Sequence, residues 1–211
     1  MKTDPSLLAT IHEINRLWEP VFPHLALHIG EVYGRREGHV VEAGPFIGAI
    51  THLYTKRIGA SFSVAAFPGG IADLVREGLA LAGLAHTITV QDTDALLSAL
   101  PDDSVDLLVF RGALFFPGLF ALHLQALYRV LTPGGVAFVG GGFGRYTPPE
   151  VIGAIARESR DLNLKIGKVE IARGALSRML INEGLDQVSR IEEEGGLWIV
   201  IRKPSLDGER E

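Results

Sequence analysis

Five short apolar runs recur along the chain, each leading into a glycine or proline turn and then a helical pattern, and this alternation constrains the fold more than any other feature. The runs are His39 to Ala43, Ser61 to Phe67, Thr87 to Gln91, Val105 to Phe110 and Gly135 to Gly140. Apolar residues at helical spacing lie between them, at about Ala49 to Ile58, Ile71 to Ala82 and Leu119 to Leu131. Alternating strand and helix implies right-handed crossovers, hence a parallel sheet with helices on both faces. The rule changes after helical segments near Pro149 to Arg160 and Ile171 to Glu183. Gln187 to Glu192 and Leu197 to Arg202 are joined only by Glu193 to Gly196, too short a link for a parallel crossover. A hairpin follows, and it sets the last strand antiparallel to the rest.

Ahead of the first run, Asp4-Pro5 reads as an N-cap followed by proline at the first helical position, with Leu7, Leu8, Ile11, Ile14 and Leu17 at helical spacing. Pro20 and Pro23 divide this region into two helices, the second reaching about Tyr33. At 211 residues, 47% of them hydrophobic, the chain can bury one sizeable core. With no repeat and no linker, one domain is expected over 1–211: a helical lid or flank over 1–36, a cofactor-binding half over 37–145, and C-terminal helices with the hairpin over 146–211.

Twenty basic against 25 acidic side chains leave a net charge of −5, which does not favour phosphate backbones or anionic membranes. The absence of cysteine excludes disulfides, thiolate metal sites and cysteine nucleophiles. Acidic residues arrive too early for a signal peptide, and no apolar run approaches the roughly 18 residues of a membrane span. A soluble cytoplasmic protein is expected, with a small-molecule substrate, no nucleic acid and no membrane, and with a homodimer left open.

Three segments carry chemistry. Val40-Val41-Glu42-Ala43-Gly44-Pro45-Phe46-Ile47-Gly48 runs from a buried strand through an acid into a glycine-studded turn. Asp94-Ala95 precedes Leu100-Pro101-Asp102-Asp103-Ser104 and the strand to Phe110-Arg111-Gly112. Leu127-Tyr128-Arg129-Val130-Leu131-Thr132-Pro133-Gly134-Gly135 feeds the fifth strand. In this order and spacing they resemble the class I S-adenosylmethionine-dependent methyltransferases, over nearly all of Leu17 to Lys203. The type 11 members are also similar in Leu17-Trp18-Glu19-Pro20-Val21-Phe22-Pro23, Gly140-Gly141-Gly142-Phe143-Gly144 and Gly196-Leu197-Trp198-Ile199-Val200-Ile201. The resemblance implies a Rossmann-like fold and S-adenosylmethionine as cofactor, with S-adenosylhomocysteine as product. It places cofactor contacts at Glu42, Gly44, Phe46, Gly48, Ala66, Phe67, Asp94, Ala95 and Arg111.

Each position has a chemical reason and a plainer one. Gly44 and Gly48 lack the Cβ atoms that would keep a ligand off the backbone, or they simply permit a tight strand-to-helix turn. Glu42 stands where the resemblance implies an acid holding the methionine ammonium, or it pairs with a nearby Arg or Lys. Asp94, preferred to Asp92 for its interval to Asp106, is the implied partner of the adenine amino group and equally an N-cap ahead of Ala95-Leu96-Leu97. Arg111 ends the fourth strand, where it could anchor a carboxylate or join an exposed salt bridge.

Two positions depart from the family pattern. Where the resemblance implies an acid clamping the ribose hydroxyls, Ala66 stands instead; a lost hydrogen bond to a charged group costs about 1.5 to 3 kcal/mol, or roughly 10- to 100-fold in affinity. Phe46 puts a benzyl group where bare backbone is expected, so volume decides there. His24, His28 and Glu31 share a helix face but lack a further ligand and read as an amphipathic helix. The run Gly140 to Gly144 lacks the lysine and hydroxyl of a P-loop and leaves room for substrate or forms a plain turn. Three functions compete: methyl transfer from S-adenosylmethionine to a small molecule, a methyltransferase-like binding or assembly module without catalysis, and a nicotinamide oxidoreductase. The last is disfavoured because Gly44-Pro45-Phe46-Ile47-Gly48 is not G-x-G-x-x-G. Methyl transfer requires no catalytic side chain, and none is identifiable.

Overall fold

The computed structural model describes residues 3–205. Asp4 caps the first helix by accepting the Ser6 N–H at 2.9 Å, with Pro5 at the first helical position. This helix, α1 (Pro5–Leu17), turns through a short 3₁₀ segment into α2 (Phe22–Tyr33), which stops at Gly34 in the left-handed conformation. Strand and helix then alternate through β1 (His39–Gly44), α3 (Ala49–Thr55), β2 (Ser61–Ala66), α4 (Ile71–Leu81), β3 (Ile88–Asp92), β4 (Val105–Arg111), α5 (Leu124–Val130) and β5 (Leu131–Gly142). Helices α6 (Pro149–Lys165) and α7 (Arg173–Asn182) follow, and β6 (Ser189–Glu192) and β7 (Gly196–Arg202) close the chain as a hairpin.

Among the described residues, seven strands form one sheet in the order β3-β2-β1-β4-β5-β7-β6. The first five pair in parallel; β7 inserts antiparallel between β5 and β6. This is the mostly parallel, helix-flanked Rossmann-like plan with an antiparallel last strand that the connection lengths required. Residues of β1 and β4 are buried almost throughout, as strands covered on both faces must be. Asp106 fastens the opposite end of the sheet, accepting the His39 N–H at 2.7 Å and the Thr132 hydroxyl at 2.9 Å.

One element differs from expectation. Leu119 to His123 are not helical, and α5 begins only at Leu124. Pro117-Gly118 interrupts the chain just ahead, and Phe116 and Phe120 turn inward as buried rings. Those side chains supply the apolar periodicity without a helix. The segment after Asp94 likewise makes turns rather than a helix.

Register decides where the functional positions gather. Gly44 stands level with Ala66, Ala66 with Asp92, and Arg111 with Gly140. The carboxyl ends of the parallel strands therefore form one ledge, the side on which open α/β sheets bind ligands.

Candidate functional site

Glu42 lies near the carboxyl end of β1 and is fully buried. Its Oε1 accepts the Ala49 N–H at 3.1 Å; its Oε2 accepts those of Gly48 at 3.0 Å and Ile50 at 2.9 Å. These are the unpaired donors at the start of α3, so the carboxylate fastens the helix to the strand before it. Burial pushes the Glu42 carboxyl up, while the three N–H groups and Arg111 oppose that rise.

Arg111, at the end of β4, is 4% exposed. Its guanidinium carbon sits 5.0 Å from the ring centre of Trp18, 4.9 Å from that of Phe22 and 5.5 Å from that of Phe46. Nη2 donates to Asn15 Oδ1 at 3.1 Å, and Nε has no partner among the described residues. Asn15 in turn donates to the Pro45 carbonyl at 2.9 Å, tying α1 to the turn after β1. Burial lowers the Arg111 guanidinium to about 10, with Glu42 opposing. Arg111 is thus a caged cation, not a member of an exposed salt bridge.

Phe46 is 1% exposed. Its ring packs 4.7 Å from that of Phe116, over Gly112, where an added Cβ would overlap it. Gly44 makes the same kind of room for Phe110. Beyond Gly44, the rings of Phe67, Phe110 and Phe120 meet edge-on or tilted at 5.1 to 5.7 Å, beside a buried Ala66. Asp94 is exposed, and its carboxylate is engaged by its own loop, accepting from the Ser98 and Leu96 N–H groups and the Ser98 hydroxyl. These bonds, Ser98 first, hold its carboxyl below the usual range.

A cavity of about 390 Å³ opens beside this cluster, above β4 and β5 and beneath α1 and α6. Trp18, Phe115, Phe116 and Phe143 give it aromatic walls, with Trp18 and Phe143 stacked at 4.7 Å. Arg111, Ser159, Arg160, Asn163 and Lys168 give it polar ones. Phe46 and Gly112 border it, but its lining stops short of Ala66, Phe67, Asp94 and Ala95. The α6 residues were not among the positions singled out in the sequence. Ser159 and Asn163, polar and buried four residues apart on the side of α6 that carries Ile155, are the signal that marks them. A second cavity, of about 430 Å³ between α1, α3 and α4, lies off the strand ends.

A candidate S-adenosyl-L-methionine-dependent methyltransferase of Methanococcus maripaludis superposes with a TM-score of 0.75 at 22% identity, covering 97% of each chain. The fold is that of the class I methyltransferases. A SAM-dependent methyltransferase from Aquifex aeolicus gives a TM-score of 0.60 at 18% identity, over 95% of this chain and 98% of that one. The geranyl diphosphate C-methyltransferase of Streptomyces coelicolor A3(2), in complex with Mg²⁺, geranyl diphosphate and S-adenosyl-L-homocysteine, gives 0.56 at 13%, over 86% and 77%. No family model and no curated protein matches the chain.

The methyltransferase fold implies a nucleoside cofactor along the ledge from Gly44 to Asp94, and the side chains present can be tested against it. The frame is there in Glu42, Gly44 and Gly48. The hollow is not: the space that glycine opens at positions 44 and 112 holds the rings of Phe110 and Phe46. In this packing the residues do not fit the group, and room for it requires these rings to turn away. Among the described residues, no helix is long and apolar enough to cross a membrane.

Proposed function

We propose that this chain is an S-adenosylmethionine-dependent methyltransferase acting on a small molecule. The observation that carries the reading is adjacency: Phe46 of the turn after β1 and Arg111 and Gly112 at the end of β4 line the 390 Å³ cavity, so an acceptor in the cavity would lie beside a donor admitted at the turn once Phe46 rotates away. The Streptomyces neighbour's complex with S-adenosyl-L-homocysteine supports the cofactor. Were Phe46 and Phe110 to turn away and admit S-adenosylmethionine, the group would bring a methyl already activated on a sulfonium. The chain's part is to align the acceptor and exclude water, which aromatic walls do. Kinship with the type 11 proteins and a cytoplasmic location belong to the same proposal.

A second reading, a binding or assembly module without catalysis, rests on the packing of Phe46 and of Phe67 with Phe110 and Phe120. Calorimetric titration with S-adenosylmethionine and S-adenosylhomocysteine separates the two. The first reading expects binding below about 1 mM, tightened in a Phe46→Gly variant. Absence of binding by both proteins sinks methyl transfer and leaves the second reading standing.

A further inference from the structure

We infer that the cavity beneath α6 is a binding site for a small organic anion with a flat apolar body, a carboxylate being the group that it is built to take. Its identification as the methyl acceptor rests on the reading above; its binding does not.

Charge is the first argument. The protein as a whole carries −5, yet the cavity is lined by the cations Arg111, Arg160 and Lys168 against the single acid Glu170. A concave site with an excess of one sign of charge concentrates ligands of the other sign. The second argument is an incomplete set of bonds. Arg111 is buried with one neutral acceptor, Asn15 Oδ1; the one counter-charge that acts on it, Glu42, is taken up by three N–H groups and forms no salt bridge with it among the described residues. Its Nε and the indole Nε1 of Trp18 are both buried donors without partners among the described residues, and both residues line the cavity. A buried charge and two buried donors are costly unless an acceptor joins them, and a carboxylate meets a guanidinium fork with two oxygens.

Shape is the third. The stacked Trp18 and Phe143 present flat apolar surface at the strand ends. Across from them, the Lys168 ammonium stands 5.7 Å from the ring centre of Phe115. The segment bearing Lys168 is fixed there: its N–H donates to the Asn163 carbonyl at 2.9 Å, and the Val169 N–H to the Phe115 carbonyl at 2.8 Å. About 390 Å³ is within the range of small-molecule sites and too little for a polymer.

The test is calorimetric titration of the full chain, without S-adenosylmethionine, using 2-naphthoate and its neutral counterpart 2-naphthamide. Naphthoate is expected to bind about 10-fold more tightly, or better, as a hydrogen-bonded charge pair requires. Arg160 and Lys168 are exposed, so an Arg160→Gln, Lys168→Gln double variant retains the fold, as circular dichroism checks. In it naphthoate should lose the part of its advantage that Arg111 does not supply, while naphthamide binds as before. Equal binding of the two probes, no binding of naphthoate at about 1 mM, or an advantage untouched by the double variant overturns the proposal. If naphthoate binds as stated while S-adenosylmethionine and S-adenosylhomocysteine do not, the anion site stands and methyl transfer falls.

Discussion

The rings of Phe46 and Phe116 stand 4.7 Å apart, tilted by 45°, and both rest against the bare Cα of Gly112. Position 112 therefore has no room for a side chain, and its φ of +78° disfavours one on backbone grounds as well. Gly112→Ala should destabilise the fold by about 2 to 4 kcal/mol in urea unfolding. Truncating Phe46 to Ala in the same chain should return part of that loss, with a coupling of at least about 0.5 kcal/mol. Strict additivity of the two changes would show that Phe46 does not occupy the space over Gly112.

Glu42→Gln tests the anchor of α3. Three N–H donors converge on the two carboxylate oxygens, so the added amide would turn its own N–H groups toward donors. A loss of about 2 to 4 kcal/mol in unfolding free energy is expected. A change within about 0.5 kcal/mol would mean that Glu42 is already protonated, its burial having outweighed the three donors.

How much of this was legible in the sequence depends on how far apart the interacting residues lie. The strands, the order of elements and the antiparallel hairpin follow from local periodicity and connection length, and they stand within a few residues of the expected places. Leu119 to His123 misled because Phe120 stands at helical spacing before Leu124, yet does so to fill space beside Phe67 and Phe110, and periodicity cannot tell those two uses apart. Arg111 was marked by its place at a strand end. Its cage was not, since Asn15, Trp18 and Phe22 come from some ninety residues earlier and reach it only when α1 folds across the ledge. Phe46 was legible as a conflict between a bulky side chain and a glycine turn; that Gly112 accommodates it required the sheet register.

His28 predicts an acid limit to stability. It is buried, its Nε2 lies 3.3 Å from Glu192 Oε2, and its ring meets Phe138 edge-on. Burial, then Arg145, lowers its affinity for a proton, against opposing pulls from Glu192 and Glu31. A folded value below the ordinary histidine value of about 6.5 means that the stability it contributes is complete above that pH and is lost as pH falls through the lower value. Stability against thermal unfolding should therefore fall below about pH 6.5, by at most about 1.4 kcal/mol per pH unit for this one proton. His52, lowered in the same direction chiefly by burial, adds a share. His28→Leu should flatten the slope without abolishing it. An unchanged profile would show that His28 binds its proton equally in the folded and unfolded chain.

Arg111→Met separates a binding role from a structural one. Were the guanidinium there for stability, removing it should unfold the protein, as breaking a buried pair does. Glu42, however, keeps its three N–H donors without Arg111, and the cage of Trp18, Phe22 and Phe46 suits a methionine side chain of similar reach. A buried guanidinium lowered to about 10 is held in its charged form at a cost to the fold. The variant should thus unfold at the same temperature as the parent or higher, and bind 2-naphthoate about 10-fold more weakly. Residues that lower stability while facing a cavity are the ones expected to serve a ligand. Loss of stability with unchanged naphthoate affinity would place Arg111 in the scaffold and take away the central cation of the proposed site.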